Sequence, residues 1–155
     1  MQTFLPYADF ARSAAVLDLR RLGKQRVEAL QVLRATTVPE YGWRHHPAAK
    51  MWKGYAEALT CYGLAICRTW TGLGRPDTVA ATLGVEFGRP VREQAELATA
   101  GELPNWLGQA EFHRSHQSSL LRKDPAHYRP IFGPDVPDDL PYVWPMSDRA
   151  VTAEP

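Results

Sequence analysis

Residues 18–31 read DLRRLGKQRVEALQ, and no other segment constrains the chain as much. At about 100° per residue, Leu22, Arg26, Ala29, Leu30 and Leu33 gather on one side of a helix. Arg20, Lys24, Glu28 and Gln31 gather on the other, with Lys24 and Glu28 one turn apart. Arg26 sets a guanidinium inside the apolar stripe. A buried arginine must be paired or must serve a ligand. The segment therefore predicts a helix that buries one face and turns a charged, anion-handling face outward.

Helical spacing dominates the rest of the chain as well. Asp9 suits an N-cap, and periodicity then runs to Arg34 or Ala35 before Thr36–Pro39 breaks it. YGWRHHP reads as a loop. Pro47 suits the first turn of a second long helix, in which Met51, Trp52, Tyr55, Leu59, Tyr62, Ile66 and Trp70 form a core stripe. Gly72, Gly74 and Pro76 end it. Residues 77–108 read as loop-rich, with one short helix near Val91–Ala100. A third main helix spans about Gly108–Lys123. The seven prolines from Asp124 onward predict a surface wrap without regular structure, anchored by Phe132, Tyr142, Val143 and Trp144. The expectation is a single all-α domain over residues 1–145 with three main helices, and a loose segment over 146–155.

The 155 residues suit one core. Charge is uneven. Residues 1–60 hold nine Lys or Arg against five Asp or Glu, and residues 111–155 hold five against seven. The basic N-terminal half is compatible with phosphate partners, although the net charge of +1 is small for a nucleic-acid binder. Cys61 and Cys67 read as buried free thiols. No signal-peptide pattern and no run of about 18 apolar residues occurs, so a soluble cytoplasmic protein is expected, a monomer by default.

The third main helix, QAEFHRSHQSSLLRKD, has few apolar residues. It must still turn some face inward, and that face is expected to include His113, His116 and Gln117 as pocket-lining groups. Arg122 and Lys123 at its end suit phosphates. His45 and His46 stand before the second helix. Their spacing matches no tight ligand set, so neither metal nor cofactor is expected. Trp43 in its basic loop suits either stacking on a base or loop anchoring. Glu28 is the leading carboxylate, with an idle ion pair to Lys24 as the alternative.

Four segments carry a resemblance: LDLRRLGKQRVEALQVL, GWRHHPAAKMW, EFHRSHQSSLLRKDPAHY and LPYVWP. Through them the chain resembles a bacterial branch of the pyrimidine-dimer DNA glycosylase superfamily, related to phage endonuclease V. The shared marks are Arg26–Val27, His46 opening the second helix, and a basic C-terminal helix followed by an aromatic-rich end. The resemblance implies an all-α fold and a glycosylase coupled to strand cleavage. There, an N-terminal α-amine attacks sugar C1′, a Schiff base forms, and β-elimination breaks the strand. A carboxylate offsets charge at C1′, and basic residues hold the phosphates of kinked DNA.

Two departures stand out. The family's amine belongs to a small residue exposed by methionine removal, whereas here Met1 precedes the bulky Gln2. The family's Glu lies three residues before the matching Arg, where this chain has Gly23, so Glu28 would act from another angle. The expected set is Glu28 as carboxylate, Met1 or Lys24 as amine, and His46 beside them. Arg20, Arg21, Arg26, Arg122 and Lys123 would hold phosphate, and Trp43, His45, His113, His116 and Gln117 would line the pocket. The leading reading is a DNA N-glycosylase-like enzyme, with or without abasic-site lyase activity, acting on damaged or modified bases. An enzyme of free nucleotides and a catalytically silent nucleic-acid binder are the alternatives.

Overall fold

One cap and one left-handed glycine divide what periodicity alone reads as two continuous helices. In the computed structural model, which describes residues 1–150, α1 (Phe10–Val16) is capped by Asp9, whose carboxylate accepts from Arg12 N–H at 2.7 Å. The helix stops at Leu17, because Asp18 is extended and caps the next helix. That helix is α2 (Leu19–Thr37). A carboxylate at an N-cap competes with helix continuation, and here it outweighs the apolar repeat on either side. The second expected helix is also divided, into α3 (Pro47–Trp52) and α4 (Ala56–Gly72). The break passes through Gly54 at φ +82°, where a side chain would also strike Arg149.

The described residues form eight helices and no strand, so the all-α expectation holds and the count of three main helices does not. The stretch expected to be loop-rich contains α5 (Val79–Phe87) and α6 (Gln94–Thr99). α7 (Ala110–Lys123) is followed by α8 (Pro125–Phe132), where an irregular wrap was expected. Asp124 caps α8 through His127 N–H, and Pro125 occupies its first turn, where a missing N–H costs nothing. The density of prolines concealed this signal. Tyr128 fastens α8 to the start of α2: its hydroxyl donates to the Asp18 carboxylate and accepts from Asp18 N–H.

α2 and α4 pack closely because Gly63 leaves room. A methyl group there would lie 2.8 Å from Leu83 Cδ1 and 3.2 Å from Ala29 Cβ. Cys61 and Cys67 are buried free thiols on the same helix, each pushed up by burial, to about 11 and about 12. A second part of the core is aromatic. Trp52 meets Trp106 edge-on at 4.9 Å, and Trp106 meets Phe112 at 4.8 Å. Each indole nitrogen is satisfied, Trp52 Nε1 by Thr3 Oγ1 and Trp106 Nε1 by the Met51 carbonyl.

Residues 134–149 lie as a strap along α7. Ser118 Oγ accepts from Leu140 N–H, Ser115 Oγ accepts from Val143 N–H, and Arg122 donates to the carbonyls of Asp138 and Leu140. Ser147 and Arg149, within the segment expected to be loose, are tied to Lys53 O and to Glu102. Residues 151–155 of that segment lie outside the described residues.

Gly63→Ala is expected to destabilise by on the order of 1 kcal/mol, overpacking outweighing the gain in helix propensity. Gly84→Ala on α5, where nothing lies within 4 Å, is expected to stabilise by about 0.5–1 kcal/mol. Urea denaturation of both variants checks the pair.

Candidate active site

The first five residues belong to no helix or strand, and residues 2–5 are buried. Side chains supply the partners of their backbone groups. Gln25, fully buried on α2, donates from Nε2 to Gln2 O at 2.6 Å and accepts Phe4 N–H on Oε1 at 3.0 Å. Tyr62 on α4 donates its hydroxyl to Phe4 O at 2.8 Å. On α7, His113 Nε2 accepts from Gly108 N–H, so its Nδ1–H is the donor to Leu5 O at 2.8 Å. His116 Nδ1 accepts Leu5 N–H at 2.9 Å, and Gln117 donates to Pro6 O at 2.8 Å. The inward polar face of α7 is thus a clamp on the N-terminal backbone. None of His113, His116 and Gln117 borders the cavity at Met1; His113 and Gln117 face a separate cavity beside Pro6 and Arg12. His116 is fully buried, one layer behind the cavity, against Phe4 and Tyr142.

This grip delivers Met1 to a cavity of about 390 Å³. Met1, Gln2 and Phe4 form one wall, and Arg20, Arg21, Lys24 and Glu28 of α2 form another. Lys123 closes it from the end of α7, and Tyr142 and Trp144 close it from the strap. Four cationic side chains therefore face one carboxylate. Glu28 is nearly buried, and its ion pair with Lys24 at 3.5 Å involves an amine that is 73% exposed. Such a pair contributes about 0–1 kcal/mol, too little to explain a carboxylate taken out of water. Arg21 also holds Asp18 at 3.0 Å. Burial alone would raise the Asp18 carboxyl, but hydrogen bonds from Tyr128 and Arg21 outweigh it and hold it below its usual value.

His46 caps α3, its Nδ1 accepting Ala48 N–H at 3.1 Å, so the neutral ring carries its proton on Nε2. Its ring lies edge-on to Trp43 and to Trp144, both at 5.9 Å. Burial lowers its basicity, the nearby N-terminal charge lowers it further, and Glu28 partly offsets both. His46 thus adjoins the cavity through Trp144. Trp43 is 49% exposed beside it, and His45 is exposed in the same loop.

Two expected phosphate ligands lie outside this cavity and hold parts of the fold together. Arg122 holds the strap. Arg26 pairs with Asp77, whose side chain is only 1% exposed, and lies over the Trp70 ring at 4.4 Å. Asp77 also accepts Ala80 N–H at 2.9 Å, at the start of α5. Burial would raise the Asp77 carboxyl; that bond and Arg26 together keep it low. Neither arginine lines the cavity. Sequence reasoning assigned no role to Gln25, yet a glutamine one turn before Ala29, at the edge of the apolar stripe, is the signal that marks it. Gln2, Phe4, Tyr142 and Trp144 were also left out of the site. Among the described residues, no three His, Cys, Asp or Glu side chains stand together as a metal-binding group.

A family model for pyrimidine dimer DNA glycosylase matches residues 1–82. The chain belongs to the pyrimidine dimer DNA glycosylase family. The match takes in the N-terminal segment and all of α2, and so most of the cavity, while Lys123, Tyr142 and Trp144 lie beyond it. No curated protein and no solved structure matches the chain. Family membership implies DNA as the substrate.

The departure at position 23 has a steric reason. A Cβ on Gly23 would lie 2.9 Å from the Trp70 ring, whose indole nitrogen donates to Pro76 O. Position 23 faces α4 and leaves no space for a glutamate. The carboxylate that reaches the cavity from α2 is Glu28.

The histidine clamp predicts acid sensitivity. Burial, then the neighbouring His113, depress His116 to about 3; burial also lowers His113. The unfolded chain takes up these protons first, so their stabilising effect is complete above about 6.5 and declines as pH falls toward 3. Each histidine contributes at most about 1.4 kcal/mol per pH unit. His116→Asn keeps an acceptor for Leu5 N–H and cannot titrate. Urea titrations from pH 7 to pH 4 are expected to show a flatter stability curve for it than for the parent.

Proposed function

We propose that this member of the family is a DNA N-glycosylase that also cleaves at abasic sites, acting on damaged or modified pyrimidines through the α-amine of Met1. One observation supports the reading above all: the first residue, a nearly buried carboxylate and four cationic side chains share one cavity. Arg20, Arg21, Lys24 and Lys123 suit the phosphates flanking an extruded nucleotide. An amine held by its own backbone needs no long flexible side chain to reach C1′. Lys24, on a mostly exposed stem, is the competing amine.

In this scheme the amine lone pair attacks C1′ and the glycosidic electron pair leaves with the base. The ring C1′–O4′ bond then opens. The two protons shed by the amine end on the departing base and on O4′, leaving a C1′ imine. Loss of a C2′ proton forms a C2′–C3′ double bond and expels the 3′ phosphate with its electron pair. Glu28 offsets positive charge as C1′ loses the base, and accepts the protons in transit. His46, with its proton fixed on Nε2, stands behind Trp144 as a neutral neighbour of both groups.

Borohydride reduction during incubation with duplex containing a pyrimidine dimer, or an abasic site, is expected to leave a covalent adduct that maps to the peptide beginning at Met1. Glu28→Gln is expected to slow adduct formation by about 10²–10⁴-fold while leaving salt-dependent binding in place. An adduct on Lys24 reassigns the amine. Absence of any adduct with either duplex sinks the reading.

A further inference from the structure

Gln2 is the anomaly of the cavity wall. Its side chain lines the cavity yet is 93% removed from solvent, with a relative exposure of 7%. Its Oε1 accepts Thr3 N–H at 2.8 Å, which fixes which way the amide faces. Its Nε2 is buried with no hydrogen-bond partner. A buried amide donor without an acceptor is costly, and proteins keep few of them outside functional sites. Nor can the side chain easily swing away to find water: the backbone behind it is held by Gln25, which donates to Gln2 O at 2.6 Å.

The position of this donor in the chain points to its acceptor. Gln2 is the residue next to the Met1 amine. A group one residue from the nucleophile stays close to C1′ throughout attack. In a pyrimidine nucleotide the 2-oxo oxygen is joined to C1′ through only N1 and C2, and it gathers negative charge as the glycosidic bond breaks. A donor that meets this oxygen acts where charge develops, which is where a fixed dipole contributes most to rate.

We infer that the Gln2 side-chain amide is a specificity-determining donor that binds the 2-oxo group of the departing pyrimidine and stabilises it as a leaving group. The inference rests on the amine reading above. It adds a requirement that the amine reading lacks: Gln2 should matter more when a base is present at C1′ than when it is absent.

The test compares adduct formation under single-turnover conditions on two duplexes, one with a pyrimidine dimer and one with an abasic site at the same position. Gln2→Glu keeps the acceptor for Thr3 N–H and exchanges the donor for an acceptor. Gln2→Met removes the donor without adding charge near Glu28. Both keep a large second residue, and intact mass confirms that Met1 is present. The dimer-to-abasic rate ratio is expected to fall roughly ten- to a hundred-fold in both variants. A ratio within two-fold of the parent overturns the inference, because Gln2 would then only position the amine. Adducts on both duplexes in the parent, with an unchanged ratio in the variants, leave the amine reading standing while this one falls. No adduct in the parent on either duplex removes both.

Discussion

The structure depends on an N-terminal segment that is buried yet belongs to no helix or strand. Backbone N–H and C=O groups in a protein interior need partners. Here Gln25, Tyr62, His113, His116 and Gln117 supply them, from helices distant in sequence. The arrangement explains several facts that look unrelated. It explains why α7, with few apolar residues, is nevertheless buried on one face. It explains why a glutamine sits at the edge of the apolar stripe of α2. It also explains how Met1 comes to rest at a defined place in a cavity.

Two kinds of residue on α2 divide the work of that helix. Arg26 looks inward, toward Asp77 and Trp70, and ties α2 to the segment leading into α5. Its family-marking character is architectural. Arg20, Lys24 and Glu28 look outward into the cavity. Gly23 stands between the two roles: the Trp70 ring occupies the space where a side chain would go, so this face of α2 is closed to a functional carboxylate. The proposed chemistry rests on the face that Glu28 occupies.

The helical class was legible from spacing, because periodicity near 3.6 reports the burial of a face whatever that face packs against. The boundaries were less legible. Asp18 and Gly54 end helices through local bonds and backbone geometry that an apolar repeat does not register, and Asp124–Pro125 starts one amid prolines that read as irregular. The charged face of α2 led directly to Glu28, Arg20 and Lys24. The histidines were harder. A His on an inward face announces that it has a polar partner, but not whether the partner is a ligand or the protein's own backbone. Only the path of residues 2–6 decides between them, and nothing in the α7 sequence encodes that path. Tyr142 and Trp144 were visible as anchors, but not as cavity wall, for the same reason: the strap's course depends on Ser115, Ser118 and Arg122 of α7 as well as on its own residues.

The clamp on residues 2–6 grips mostly carbonyls and amide hydrogens, which every residue except proline possesses in full. It is therefore indifferent to much of what the segment is made of and strict about how long it is. The segment works as a ruler, with Leu5 as the fixed mark and Met1 as the point it sets. One residue more or fewer between them would take Met1 from its place in the cavity wall. Variation in this stretch is thus expected to conserve spacing ahead of composition, a form of constraint that sits in the count of peptide bonds and not in any single side chain.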